Sequence, residues 1–121
     1  MSSNYKTHNV DGFKLKFTGR RTWEATLEGG GYGEVVPVTW VRDITKRGDR
    51  AFVMIYCTTF DKMTARRTDE HPFIVAVAAA KDNNERPMRF RHFDRVLLCR
   101  STFKRIDDHT FKAEVLKQLH A

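Results

Sequence analysis

Cysteine is scarce in this chain, with only Cys57 and Cys99 among 121 residues. Two thiols cannot build the multi-bridge framework of a small secreted domain. Both lie in apolar runs, FVMIYC and VLLC, and read as buried free thiols, with a bridge between neighbouring strands as the alternative. No CxxC and no close Cys/His pair is present, which excludes the common zinc patterns. The five histidines, His8, His71, His92, His109 and His120, are scattered without HxH or HExxH spacing. No apolar run reaches the roughly 18 residues of a membrane helix. The first nine residues, MSSNYKTHN, lack the apolar core of a signal peptide, so the expected setting is cytoplasmic, away from a membrane. There is no internal repeat and no low-complexity linker. No catalytic residue, metal or cofactor is assigned from the sequence, and the balance leans away from an enzyme.

Acidic residues are also short, at 15 against 22 basic ones, leaving a formal charge of +7 and a pI near 9.7. Thirteen of the basic residues are arginine, the side chain suited to bidentate contact with phosphate or carboxylate. The excess is concentrated. Residues 86–105 (RPMRFRHFDRVLLCRSTFKR) hold seven basic side chains against Asp94 alone, about +6 of the total. Within them Met88, Arg89, Phe90 and Arg91 alternate with period two, the pattern of a strand with one buried and one wet face. Such a strand would turn its aromatics inward and its guanidinium groups outward in a row. A basic domain with clustered arginines is the electrostatic footprint of nucleic-acid binding.

Hydrophobic content of 40% with 12% aromatics supports a folded core, and the length suits one domain. Residues 1–9 read as a flexible N-terminus and 10–121 as a single β-rich domain. Phe13, Leu15 and Phe17 alternate with Lys14 and Lys16 in a clear amphipathic strand. Trp23, Ala25 and Leu27 share one face of the next. Residues 35–44 (VVPVTWVRDI) form a third strand, with Pro37 marking an edge or a bulge. After the Lys46–Asp49 turn, residues 50–60 read as the most apolar and most central strand. Residues 72–80 (PFIVAVAAA) form another buried strand, ahead of a turn at 81–84. The arginine strand follows, interrupted near Asp94, and then VLLC. At the end, Asp107 or Asp108 can cap a helix. Phe111, Val115, Leu116 and Leu119 then share one helical face, predicting a helix over 109–120. The expected class is α+β, mostly β: a small curved antiparallel sheet or barrel with a C-terminal helix.

Several motifs have plain explanations. The run GGGYG at 29–33 lacks the Lys-Ser/Thr and helix start of a phosphate-binding loop and reads as a hairpin loop. Tyr32 on it is a candidate for stacking on a base. His92, near Asp94, has the elements of an oriented base but no nucleophile beside it, so a stacking or phosphate contact is expected. Asp94 lies between Arg91 and Arg95 and should pair with one of them. The doublets Arg20-Arg21 and Arg66-Arg67 flank turns, where loop arginines commonly reach phosphate.

Residues 53–103 resemble a WYL domain, a small Sm-like β-barrel. Ile55-Tyr56, Arg66-Arg67, Pro72 and Ile74-Val75-Ala76 fall in the family's order. Arg86, Phe90-Arg91 and Asp94-Arg95-Val96 resemble its closing signature. Phe73-Ile74-Val75 stands where the family has Trp-Tyr-Leu, and one extra residue precedes Asp94. The resemblance implies a ligand- or nucleic-acid-sensing barrel whose anion site is lined by Arg67, Arg86, Arg91 and Arg95.

Three functions follow as expectations. The first is a nucleic-acid-binding module, with Arg86, Arg89, Arg91, Arg95 and Arg100 on phosphates, Arg20, Arg21, Arg66 and Arg67 as flanks, and Tyr32 and His92 for stacking. The second is a small inhibitor or adaptor, of the kind carried by phages or mobile elements, docking on an acidic protein. The third is a small enzyme on a nucleotide-like substrate, with its site shared across a homo-oligomer interface.

Overall fold

The computed structural model describes residues 6–19, 24–56, 72–82, 84–85, 89–107 and 110–121. Nine strands are seen among them: β1 (His8–Val10), β2 (Phe13–Gly19), β3 (Glu24–Gly29), β4 (Tyr32–Trp40), β5 (Ile44–Arg47), β6 (Arg50–Ile55), β7 (Phe73–Ala80), β8 (Phe90–Asp107) and β9 (Thr110–Gln118). All join one sheet in the order β1-β2-β3-β4-β7-β8-β9-β6-β5. Every pairing is antiparallel except β4 with β7. That parallel pair needs a crossover, and the β5–β6 hairpin supplies part of it.

The sheet curls around two cores that lie on opposite faces of β7. Ile74, Ala76 and Ala78 point to one side, where Phe13, Leu15, Phe17, Leu27, Val36, Trp40 and Phe93 gather. Phe73, Val75 and Val77 point to the other, with Val53, Ile55, Leu97, Cys99, Phe111 and Ala113. This explains why FIVAVAAA is apolar at every position: a strand buried on both faces loses the alternation of a half-wet one. β1 closes the first curl against β8, with His8 packed edge-on to Phe90 and Phe93 at 5.3 and 5.7 Å. On the other side the buried Thr39 hydroxyl donates to the Met54 carbonyl, tying β4 to β6.

The β-rich class and the strands at 12–18 and 72–80 agree with the sequence reading, but its C-terminal helix is corrected. Residues 110–118 are β9, inserted between β6 and β8 with hydrogen-bonded partners on both sides. Phe111 and Ala113 are buried and the flanking Lys112 and Glu114 are not, which is period two rather than 3.6. Leu116, assigned to a helical core face by its spacing, is 43% exposed. Leu119 returns to the first core, its N–H donating to the Val96 carbonyl at 2.8 Å.

The strand expected to be most central is corrected, since β6 lies beside the edge strand β5, and three smaller differences follow. His8–Val10, within the expected loose N-terminus, form β1. The expected third strand stops at Trp40, where a 3-10 turn at Val41–Asp43 leads into β5. Pro37 sits where β4 changes partner, opposite Glu24 of β3 and one residue before Val38 pairs with Ala76 of β7. The GGGYG loop is a tight two-residue turn: Gly29 pairs with Tyr32, and Gly30 and Gly31 have φ of 57° and 84°. A two-residue hairpin with both central φ positive is the type I′ geometry, which favours glycine.

Candidate nucleic-acid interface

β8 carries Arg91, Arg95 and Arg100 of the expected arginines, with Arg89 just before it, but they do not form one row. Phe90 and Phe93 do turn inward, to the first core. Two register shifts against β7, at Val77/Ala78 and Ala79/Ala80, insert an extra residue beside Asp94 and another at Arg91. Each bulge resets the alternation. Arg95 consequently pairs with Val77 and His92 with Ala79, on the face of the second core. Arg100 emerges on the reverse side, bonded to Glu114 of β9.

Acidic neighbours hold three of these arginines. Arg89 meets Glu85 at 2.9 Å, Arg100 meets Glu114 at 3.0 Å, and Arg95 is bonded to Asp94, the pairing expected for that aspartate. Arg91 and His92 are exposed, with no hydrogen bond or ion pair seen among the described residues. Arg20, Arg21, Arg66, Arg67 and Arg86 lie outside the described residues, as do Cys57 and the side chain of Tyr32. Lys14 opposes Glu28 on β3, and among the described residues β2 is not a sheet neighbour of β8, so Lys14 and Lys16 do not extend the arginine strand.

A denser basic group lies on the outer face of β5, β6, β9 and the second half of β8. Register places Arg47 opposite Arg50, Phe52 opposite Glu114, Met54 opposite Lys112, and Lys112 opposite Lys104. Opposed residues in a ladder share a face. Their inward neighbours Val53, Phe111 and Ala113 fill the second core, so this set must face solvent. With Arg100 it makes five cations, against Glu114 and, in the adjoining turn, Asp49.

Glu114 organises the group. Arg50 grips it with two parallel bonds, Nε to Oε2 at 2.7 Å and Nη2 to Oε1 at 3.1 Å, and Arg100 Nε donates to Oε1 at 3.0 Å. These bonds, led by Arg50, hold the Glu114 carboxyl below the usual glutamate range, while Glu114 raises the Arg50 pKa further. The fork of a guanidinium on a carboxylate is the geometry it also uses on phosphate. Phe52 lies in the middle, with the Arg50 guanidinium carbon 5.1 Å and Lys112 Nζ 4.8 Å from its ring centroid. Leu116 is exposed on β9 beyond Glu114.

Sequence reasoning took Arg100 from this face but missed Arg47, Arg50, Phe52, Lys104, Lys112 and Glu114. The signal was present as period two in Arg50-Ala51-Phe52-Val53-Met54 and again in Lys112-Ala113-Glu114. The helical reading of 109–120 hid the second half.

Burial pushes the Cys99 thiol up to about 12, so it is not a thiolate at neutral pH. Among the described residues no cluster of three His, Cys, Asp or Glu side chains could hold a metal ion. No helix of the described residues is long and apolar enough to cross a membrane. Comparison with protein-family models, with curated proteins and with solved structures finds no match to this chain.

Proposed function

We propose that this protein is a non-enzymatic module that binds nucleic acid through its phosphates, and that the contact surface is the outer face of β5, β6, β9 and the adjoining half of β8. The observation that carries the reading is the grouping of Arg47, Arg50, Arg100, Lys104 and Lys112 around a single strand-borne carboxylate, in a chain of net charge +7. Arginines already preorganised on a carboxylate can exchange it for a phosphate with little further ordering of their side chains. Arg91 and His92, exposed near one end of β8, lie apart from this surface. The anion site that the WYL resemblance implies, at Arg67, Arg86, Arg91 and Arg95, is a separate expectation, of which Arg91 and Arg95 lie in the first half of β8 and the other two outside the described residues.

The test is a mobility-shift titration at low salt, comparing the native protein with Arg50→Glu/Lys112→Glu. Native protein should shift DNA or RNA at micromolar concentration, with affinity falling steeply as salt rises. The double variant should lose most of that binding while melting at a similar temperature. No shift by the native protein would overturn the proposal. Capture of an acidic protein that survives nuclease treatment would instead favour an adaptor whose arginines take carboxylates.

A further inference from the structure

Resting on that reading, we infer that the nucleic acid taken by this face is single-stranded, and that one of its bases stacks on Phe52. Phe52 faces outward between Thr45 of β5 and Glu114 of β9, and it is half-buried rather than core. Arg50 and Lys112 both lean on its ring, at 5.1 and 4.8 Å. A single cation over a ring contributes less than a base stacked on it. A base arriving at this ring replaces the two cation contacts with one stack of at least comparable strength. The heads do not lose their role, because each base brings its own phosphate, which a freed guanidinium or ammonium can take.

Duplex nucleic acid would leave the ring idle. Its bases are paired and stacked on one another, and only sugar and phosphate are presented outside the grooves. The grooves do not admit this surface either. Three inter-strand spacings of about 4.8 Å separate β5 from β8, so the backbone alone is wider than a major groove of about 12 Å. A broad sheet face with an aromatic among cations is suited to a splayed strand, whose unpaired bases lie flat on side chains while the backbone follows the charges.

The experiment is fluorescence anisotropy with a labelled twelve-nucleotide oligo(dT) and a labelled duplex of the same length, at one low salt concentration. The proteins are native, Phe52→Leu, Phe52→Trp and Arg50→Glu/Lys112→Glu. Native protein should bind the single strand at least about tenfold tighter than the duplex. Phe52→Leu, which keeps apolar bulk but removes the flat ring, should weaken single-strand binding about tenfold and leave duplex binding unchanged. Phe52→Trp should retain the affinity and add an emission that oligo(dT) quenches and the duplex does not, a readout that does not depend on the leucine variant folding. Equal affinity for both probes, with Phe52→Leu indifferent and no added quenching, overturns the single-strand inference. In that case loss of binding in the charge-reversed protein would leave the polyanion reading standing. Failure of native protein to bind either probe overturns both.

Discussion

At the residue scale, Glu114 sits at the balance between order and binding. It holds Arg50 and Arg100 in a fixed arrangement, and it occupies the groups a phosphate would use. Its bonds are exposed, so their contribution to folding is small, and the larger effect falls on binding. Replacing the carboxylate by its neutral isostere adds one unit of net positive charge and frees two guanidiniums. Glu114→Gln should bind a single-stranded oligonucleotide several-fold tighter than native protein at low salt, with the advantage shrinking as salt screens it. An anisotropy titration at two salt concentrations measures this. Weaker binding by the variant would mean that the carboxylate's positioning of the arginines outweighs its competition with the ligand.

At the element scale, β9 and β1 make separate demands. β9 requires Ala113 to be interior and Leu116 to be surface, the reverse of what a helix over 109–120 would require. Ala113→Lys should therefore cost about 3 kcal/mol or more, since it drives a charge into a filled core, while Leu116→Lys should stay within about 0.5 kcal/mol of native. Chemical denaturation of both variants distinguishes the two. β1 closes the first curl through His8, whose Nε2 is buried without a hydrogen-bond partner. Burial lowers the His8 pKa below its usual 6.5, and Lys6 beside it and His92 on β8 lower it further. The folded state thus resists a proton that the unfolded chain accepts. The stability difference is absent above the unfolded value and grows as pH falls below about 6.5, because there the unfolded state binds more protons. Thermal melts of native protein and His8→Leu should differ by a fixed amount at pH 7 and above. From pH 7 to pH 5 native protein should lose stability faster than the variant. Parallel pH profiles would remove His8 from the account.

Much of this architecture was open to reading at the level of single elements. β2 announces itself because Phe13, Leu15 and Phe17 alternate with lysines, and β7 because nothing in it is polar. β9 was misread because Leu116 and Leu119 happen to complete a helical spacing with Phe111 and Val115, and because a capping aspartate precedes them. Its hydrogen bonds come from residues some sixty positions earlier on β6, which a local pattern does not contain. The bulges at Arg91 and Asp94 were hidden for the same reason: they exist only against β7, and they decide which way each arginine faces. The outer face of β5, β6, β9 and β8 is assembled from residues 47 to 114, and no window of the chain holds it together.

At the scale of the whole molecule, one sheet folds over two cores on opposite faces of β7, with β1–β4 enclosing the first and β5, β6 and β9 flanking the second. The half that wraps the second core carries the cation group on its outside. On the proposed reading its net positive charge would steer a polyanion to that side, and the strength of binding would depend on released counterions. Each cation engaged with a single strand should contribute about 0.7 to the slope of log affinity against log salt. The most direct test of the central claim is an amide chemical-shift map of the native protein titrated with a short single-stranded oligonucleotide. Shifts should concentrate on Arg50, Phe52, Arg100, Lys112 and Glu114, with little change on β2 and β3. Shifts that instead centre on Arg91, His92 and Arg95 or on the first half of the sheet, or no shifts at millimolar oligonucleotide, would contradict it.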